Sequence, residues 1–365
     1  MSTLTLPELR RALALRDLSD PACGPHAMQL VVDTIVAALA ARWSIPVRVH
    51  RASPIVSIAD NYDHLGYAAD AVARDARYTR YVCDTAVLRS QTSAMIPALL
   101  REPRPDDVLL VCAGLVYRRD TIDRLHVGEP HQLDLWRIAH GTSTIDLDDM
   151  IATVVTAALP GRTWRAIPAE HPYTTAGRQI DVEIGGRWIE IGECGLAAIA
   201  PGLAMGLGLD RLVMLRKGID DIRLLRATDP RIATQMLDLE PYRPVSMMPP
   251  VRRDLSIVVD EPALPEELGD RIRAAIGDRA ELVEAIEIAS STPHDALPAA
   301  ARTRLGIAPG QHNMLVRVVL RAVDRSLTHD ECNDLRDAIY AAIHAGSVQS
   351  WAARKTLEPS DNTRP

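Results

Sequence analysis

A glycine pair between two alternating runs of residues constrains the fold more than any other feature of the sequence. The runs are 178–184 and 188–192, and Gly185-Gly186-Arg187 joins them. Adjacent glycines favour a tight hairpin turn, so the sequence predicts an antiparallel strand pair here. The chain also lacks the regular alternation of single strands and helices that a doubly wound parallel sheet requires. We therefore expect an α+β fold built on an antiparallel sheet.

Helices are expected to flank this sheet. Residues 26–42 carry apolar side chains at helical spacing after Gly24-Pro25, which predicts a long helix with one strongly apolar face. Further elements are predicted as a buried strand over 108–112, a second strand over 114–118, and a glycine-rich turn near 202–208 that leads into a helix over 206–215.

A second, smaller domain is predicted beyond a proline-rich stretch. Residues 1–240 form the first domain and 241–250 the linker, which contains four prolines. The order strand, helix, strand, strand, helix over 251–351, with a short last strand, is typical of a ferredoxin-like α/β sandwich. The polar residues 352–365 are expected to be a frayed tail.

Composition narrows the class of protein. Hydrophobic residues make up 47% and charged residues 24% of the 365 residues, as in ordinary globular proteins. No apolar run is long enough to span a bilayer, the N-terminus does not resemble a signal peptide, and the five cysteines are scattered. We therefore expect a cytoplasmic protein with no membrane contact and no zinc site. The net charge of −7 argues against nonspecific nucleic-acid binding over the whole surface but leaves room for a local basic cleft.

Two segments centred on arginine are the candidates for chemistry. Arg118 is predicted where a strand passes into a charged loop, from which a guanidinium can clamp phosphate or carboxylate, whereas Arg119 and Arg124 are interpreted as solvated. Gly206 and Gly208 allow a ligand close to the backbone. The following helix offers its N-terminal amides and Arg211 to an anion.

Taken together and in order, these segments resemble the catalytic subunit of phenylalanyl-tRNA synthetases, a class II family, and especially its single-chain organellar form. The resemblance covers roughly residues 15–351 and suggests a divergent paralogue. The matching stretches are 16–26 with the long helix (motif 1), 87–93, 116–133 (motif 2), 188–195, 208–212 with 218–224 (motif 3), and 250–255, which opens a segment like the family's anticodon-binding domain.

This resemblance implies activation of an amino acid with ATP and Mg²⁺, followed by transfer of the acyl group to tRNA. It implies that Arg118 bridges the α-phosphate and the substrate carboxylate, and that Arg211 holds the γ-phosphate or stacks on adenine. The remaining implied contacts are His126, Glu129, Pro130 and Gly208 for ATP, Glu190 for Mg²⁺, Ser93, Gln132 and Asp134 for the substrate ammonium, and Ile96, His171, Tyr173 and Ala204 around the substrate.

Departures from the family pattern concentrate around the substrate. Ile96 stands where the family has an ammonium-binding Gln, Pro130 where it has an adenine-stacking Phe, and Asp134 where it has Glu. His171 and Tyr173 replace two phenylalanines of the aromatic wall, which predicts a polar or smaller substrate because unpaired buried donors disfavour phenylalanine. The alternative is that Tyr173 simply takes the place of Phe while His171 faces solvent.

The acceptor of the activated acid stays open. Residues 246–351 contain 11 Arg, no Lys and 16 acidic residues, an acidic balance for an RNA-binding module. A basic face would require the arginines to cluster on one side, and the candidates are Arg252, Arg253, Arg317, Arg321 and Arg325. The alternatives to tRNA are a ligase that passes the adenylate to an amine, a thiol or a carrier protein, and a noncatalytic binding protein. The sequence leaves both a monomer and a homodimer possible.

Overall fold

The computed structural model describes residues 3–246 and 248–349, which form two compact units. The first unit runs to Arg119 and resumes from Arg124 to Val245, and the second consists of Asp120–Asp123 and the chain from Ser246 onward. The predicted tail over 352–365 lies outside the described residues. Within the described ranges no helix has the length and apolar character needed to cross a bilayer.

The first unit is built on a seven-stranded sheet. Its strand order is β1-β5-β6-β10-β9-β8-β7, and every neighbouring pair is antiparallel except β1 with β5. A small three-stranded sheet, β2-β4-β3, accompanies it. The strands are β1 Val47–His50, β2 Ile55–Ser57, β3 Tyr81–Cys83, β4 Ala86–Leu88, β5 Val108–Leu115, β6 His131–Ile138, β7 Trp164–Pro168, β8 Thr174–Ile184, β9 Arg187–Ala197 and β10 Gly202–Gly208.

Helices flank the large sheet, as predicted. The predicted long helix is confirmed as α2, and its buried side chains are those of the expected apolar face, including Met28, Val31 and Ile35. His26 caps its start, because the ring Nδ1 accepts a hydrogen bond from the Met28 N–H at 3.1 Å. The helices are α1 Leu6–Leu13, α2 Ala27–Trp43, α3 Ile58–Asn61, α4 Ile96–Arg101, α5 Thr144–Ala158, α6 Leu209–Lys217 and α7 Pro230–Ala233.

The glycine-pair hairpin is confirmed, whereas two other local predictions are wrong. Strands β8 and β9 meet at Gly185 and Gly186, which both have positive φ. The predicted strand over 114–118 does not form, because the wholly buried β5 simply continues to Leu115. The glycine-rich segment 202–208 is not a turn but strand β10, paired on both sides, and α6 starts only at Leu209.

A close contact with β10 explains the glycine at position 192 of β9. A Cβ added at Gly192 of β9 would lie 2.2 Å from the carbonyl oxygen of Gly206, so only glycine fits there. Glycine signals a turn in most sequences, but inside a sheet it also marks close backbone approach. The periodicity of the sequence could not distinguish the two cases.

The second unit follows the predicted order through its three strands, except that a helix the sequence did not predict, α9, lies between β12 and β13. Its sheet order is β11-β13-β12, all antiparallel, with an apolar core that α8 and α10 share. Within the described residues no strand follows α10, although the Ala345 N–H donates to the Val258 carbonyl of β11 at 2.8 Å. The elements are β11 Val251–Val259, α8 Pro265–Ile276, β12 Val283–Pro293, α9 Ala299–Leu305, β13 His312–Leu320 and α10 His329–Ile343.

Residues distant in sequence complete this second core. Ile122 is buried within it, and its carbonyl accepts a hydrogen bond from the Ile286 N–H at 2.9 Å. Arg273 donates to the carbonyls of Asp120 and Thr121, both at 2.6 Å. The segment 120–123 therefore belongs structurally to the C-terminal unit.

Candidate functional site

Both candidate arginines follow one edge of the large sheet. Leu115, at the end of β5, lies opposite His131 at the start of β6, and Gln132 lies opposite Gly208 at the end of β10. Arg118 leaves β5 and Arg211 follows β10, so the two chain segments leave the sheet at this common edge. This arrangement brings the two motifs together although they lie 93 positions apart.

Backbone contacts hold each arginine. The Nε of Arg118 donates to the Ser90 carbonyl at 2.7 Å, and its own N–H donates to the Gly128 carbonyl at 2.8 Å. The Nη1 of Arg211 donates to the Glu190 carbonyl at 2.6 Å. One donor of each guanidinium is used in this way within the described residues, and the other donors of the fork have the geometry that suits an anion.

A buried carboxylate lies next to this edge. Asp134 accepts hydrogen bonds from Thr92 Oγ1 and Ser93 Oγ, both at 2.6 Å, and from Trp136 Nε1 at 3.1 Å. Burial raises the pKa of Asp134 despite these three hydrogen bonds. The carboxylate is suited to a cationic partner, since a positive charge would offset its desolvation.

An aromatic and polar wall adjoins Asp134. The hydroxyl groups of Tyr173 and Ser93 are 2.9 Å apart, and the Tyr173 ring centroid lies 5.4 Å from that of Trp136. The ring of His171 meets the Tyr173 ring edge-on at 4.0 Å, and its Nε2 lies 3.6 Å from Glu193 Oε2. Tyr67 donates its hydroxyl hydrogen to Gln91 Oε1 at 2.8 Å.

Burial controls the charge of this wall. Burial lowers the pKa of His171 to about 4, and the positive charge of Arg118 acts in the same direction. Burial raises the pKa of Glu193. The negative charge of Glu190 raises it further, whereas the positive charge of Arg118 opposes the increase. At neutral pH His171 is therefore an uncharged imidazole beside an acidic side chain.

The open floor of the site consists of the smallest residues. Gln132 accepts a hydrogen bond from the Thr92 N–H at 3.3 Å, and its strand neighbour Gly208 has no side chain. A Cβ built on Gly206 would meet only oxygens of Asp134 and Tyr173, at 3.9 Å or more. Gly206 and Gly208 are both half-buried, and the close approach of a ligand to their backbone stays a prediction.

Other predicted residues lie beside the site or behind it. Ile96 and Ala204 are completely buried in the apolar cluster that contains Trp136 and Tyr173. Glu129 pairs with Arg80 at 2.6 Å, and the carbonyl of Pro130 accepts a hydrogen bond from the Val116 N–H at 2.8 Å. His126 is half-buried on the loop between β5 and β6, where its role stays a prediction.

Three residues of the site escaped the sequence analysis. Trp136, Glu193 and Thr92 all contact its polar groups, as described above. Trp136 lies two positions after Asp134 on β6, so strand alternation alone would have placed both on one face. Glu193 gave no such signal, because its neighbours depend on how β9 pairs with β10.

The donor set fits a magnesium ion carried by a nucleotide better than a resident metal. Among the described residues no group of three or more His, Cys, Asp or Glu side chains could hold a metal. Mg²⁺ commonly takes one or two protein carboxylates and completes its shell with phosphates and water. The carboxylate of Glu190 is exposed, and the backbone carbonyl of the same residue accepts the hydrogen bond from Arg211. Glu190 therefore suits that limited role.

Comparison with known proteins defines the family. Residues 26–236 match the family described as "tRNA synthetases class II core domain (F)". Since this match covers more than half of the chain, the protein belongs to that family. Its seven-stranded, helix-flanked sheet is accordingly a class II synthetase core.

The curated relatives are phenylalanine–tRNA ligases. The chain is 28% identical to the chloroplastic/mitochondrial phenylalanine–tRNA ligase of Arabidopsis thaliana over 312 residues, which cover 79% of this chain and 68% of the relative. It is 32% identical to the phenylalanine–tRNA ligase alpha subunit of a Nostoc species over 187 residues, or 48% of this chain and 56% of the relative. The chain thus spans little more than half of the cyanobacterial subunit.

A solved structure was also matched. The pyrrolysyl-tRNA synthetase PylSc of Desulfitobacterium hafniense aligns with a TM-score of 0.42 and 16% identity, covering 55% of this chain and 73% of that one.

Proposed function

We propose that this protein uses ATP to activate an amino acid as its adenylate, in a substrate pocket more polar than that of its phenylalanine-specific relatives. The single observation that carries the proposal is that Arg118 and Arg211 leave the sheet at one edge, next to the buried carboxylate of Asp134. The two arginines can thus bind an anionic nucleotide, and the adjacent carboxylate can bind a cationic ammonium group.

The proposed reaction is an in-line displacement. A carboxylate oxygen of the amino acid forms a bond to the α-phosphorus of ATP, and the bond from that phosphorus to the bridging oxygen breaks to release pyrophosphate. Arg118 pairs with the α-phosphate and the attacking carboxylate, which lowers the repulsion between them. Arg211 binds the outer phosphates, and Mg²⁺, held with Glu190, would neutralise further charge on the phosphates.

Orientation of the amino acid falls to the buried polar groups. Asp134, Ser93 and Gln132 surround the position of the ammonium, which keeps the carboxylate directed toward Arg118. Holding the two reactants in this geometry replaces a bimolecular encounter with a near-unimolecular step. His171 and Tyr173 supply the polar character of the pocket.

tRNA is the first candidate for the acceptor. In that second step a tRNA hydroxyl attacks the acyl carbon and AMP departs. The predicted ferredoxin-like, anticodon-binding character of the C-terminal unit supports this candidate, and within the described residues that unit has three strands of the expected order.

A tRNA-independent ligase is the second candidate, and ion pairs in the C-terminal unit favour it. Arg317 pairs with Asp254 at 2.8 Å and Arg325 with Glu331 at 2.7 Å, while Arg321 pairs with Glu284. Three of the five arginines of the predicted basic face are thereby neutralised locally. A surface of balanced charge releases few counterions and so binds RNA weakly.

Pyrophosphate exchange across an amino-acid panel tests the adenylation. We expect ATP-dependent exchange with at least one polar amino acid. If no amino acid supports exchange, the remaining hypothesis is a noncatalytic binding protein. A gel-shift titration with total tRNA at about 50 and about 150 mM salt then distinguishes the acceptors. Binding that weakens steeply between those salt concentrations supports tRNA, because phosphate contacts carry that dependence.

A further inference from the structure

Two carboxylates flank the glycine floor of the site. Asp134 on β6, Gly206 on β10 and Glu193 on β9 are direct partners across three adjacent strands. Directly opposite residues project from the same face of a sheet, and the strands lie roughly 5 Å apart, so the outer two backbones are about 10 Å apart. Since Gly206 has no side chain, β10 leaves a slot between the two acidic side chains, with the Tyr173 hydroxyl 3.9 Å from a Cβ built at Gly206.

The slot is closed at its apolar end. The next row of the same face holds Trp136 opposite Ala204, and both residues have 0% exposure. Tyr173 packs against Trp136 and is 7% exposed. A buried surface with no exposure has no water-sized space beside it, so a large substrate side chain would have to displace the Trp136 ring.

Polar groups line the side of the slot at Glu193. Within the described ranges no side chain donates a hydrogen bond to the Glu193 carboxylate, and His171 Nε2 lies 3.6 Å from its Oε2. His171 itself keeps one buried ring nitrogen, Nδ1, without a partner. A half-buried carboxylate without a donor is unfavourable, and a ligand that supplies one removes that penalty.

From these three observations we infer that the slot over Gly206 selects an amino acid with a short side chain that ends in a hydrogen-bond donor. The side-chain donor of the substrate pairs with Glu193, and its ammonium pairs with Asp134. The packed rings of Trp136 and Tyr173 limit the length of the substrate side chain. Serine and 2,3-diaminopropionate have this form, whereas phenylalanine does not. This inference rests on the proposed adenylation and assigns specificity to Glu193 and Trp136.

Selection of this kind gives large ratios of kcat/KM between closely similar substrates. A site that pairs with a substrate hydroxyl or amine rejects the analogue that lacks it, because the bound analogue removes water from the protein group without supplying a partner. We therefore expect pyrophosphate exchange to favour serine over alanine, and 2,3-diaminopropionate over 2-aminobutyrate, by at least about tenfold in kcat/KM.

Two variants assign this preference to particular side chains. Glu193→Ala should bring the serine-to-alanine ratio close to one, while Glu102→Ala, an exposed residue at the end of α4, should leave the ratio unchanged. Trp136→Leu should raise exchange with phenylalanine relative to serine. Should Trp136→Leu fail to fold, the ratios of the natural protein and of Glu193→Ala still decide the matter.

The outcomes separate the two proposals. Exchange led by phenylalanine, or equal exchange with serine and alanine in the natural protein, overturns the specificity inference while adenylation stands. If no amino acid supports exchange, the adenylation proposal fails. Calorimetric binding of the same amino acids then tests the specificity of the slot. Serine binding that depends on Glu193 then supports the inference, and binding without preference for a donor overturns it.

Discussion

The carboxylate of Asp210 accepts hydrogen bonds from both the backbone N–H and the imidazole Nδ1 of His131. The Nδ1–Oδ1 distance is 3.2 Å, and His131 Nε2 accepts a further bond from the Leu18 N–H at 3.0 Å, which leaves the ring proton on Nδ1. Asp210 precedes Arg211 on α6, and His131 precedes Gln132 on β6. The pair therefore fixes the two elements that present Arg211 and Gln132.

Replacing Asp210 should destabilise the fold. We expect Asp210→Asn to lower the free energy of unfolding by about 3 kcal/mol, because it leaves Arg226, 3.4 Å away, without its buried negative partner. Burial would raise the pKa of Asp210, but the interactions of its carboxylate with His131 and Arg226 outweigh burial and hold the pKa at about 2. The stabilisation is therefore present above the ordinary value of 3.8 and is lost as the pH falls toward 2.

Urea denaturation at pH 7 and between pH 4 and 2 measures both effects. Asp220→Asn is the matched control, since that side chain is 75% exposed and pairs with Arg124 at the surface. We expect the control to change stability by less than about 0.5 kcal/mol. Equal stability of the two variants would contradict the role assigned to the Asp210–His131 pair.

Loss of either candidate arginine should slow adenylation. We expect Arg118→Ala and Arg211→Ala each to reduce pyrophosphate exchange by about 10²–10³-fold, as when a preorganised donor to developing charge is removed. Arg187→Ala is the control, because Arg187 lies exposed at the start of β9. Natural exchange rates in both variants, with melting temperatures unchanged, would contradict the catalytic assignment.

The loss of folding stability between pH 6.5 and pH 4 should depend on His26. Burial lowers the pKa of His26 to about 4 from its ordinary 6.5, although the Leu225 carbonyl opposes the shift. The unfolded chain therefore binds more protons between these values, so stability is complete above pH 6.5 and declines as the pH falls to 4. His26→Asn keeps a cap for α2 without a titrating ring and should flatten this decline.

Melting temperatures from pH 7 to pH 4 test this expectation, with His140→Asn as the control because His140 is exposed. A decline of the same slope in natural protein and His26→Asn would assign the acid sensitivity to other groups, among which His171 is the first candidate.

Ile122 should stabilise the C-terminal unit despite its position in the sequence. We expect Ile122→Ala to cost about 3 kcal/mol, because the side chain is 6% exposed within the core of that unit. Hydrogen exchange of the β12 amides measures the loss. Ile145→Ala, at a side chain that is 78% exposed, should leave this exchange unchanged. Unaltered protection of β12 in Ile122→Ala would show that the segment is not needed by this unit.

The sequence alone determined the elements whose signals are local. The glycine pair at Gly185-Gly186 specified a hairpin because few other residues accept its backbone angles, and the spacing of Met28, Val31 and Ile35 specified a buried helix face. The antiparallel sheet of the fold class followed from such patterns. These features depend on residues within one or two turns of each other.

Only the tertiary structure decided which side chains meet. Glu193 became part of the site because β9 pairs with β10 in one particular register, and a shift of one residue would turn it to the other face. Gly202–Gly208 proved to be a central strand because both neighbours pair with it, and Ile122 joined a core whose other buried residues lie between 255 and 343. Register and long-range packing are set by the summed energy of contacts between distant segments, and no local pattern contains that sum.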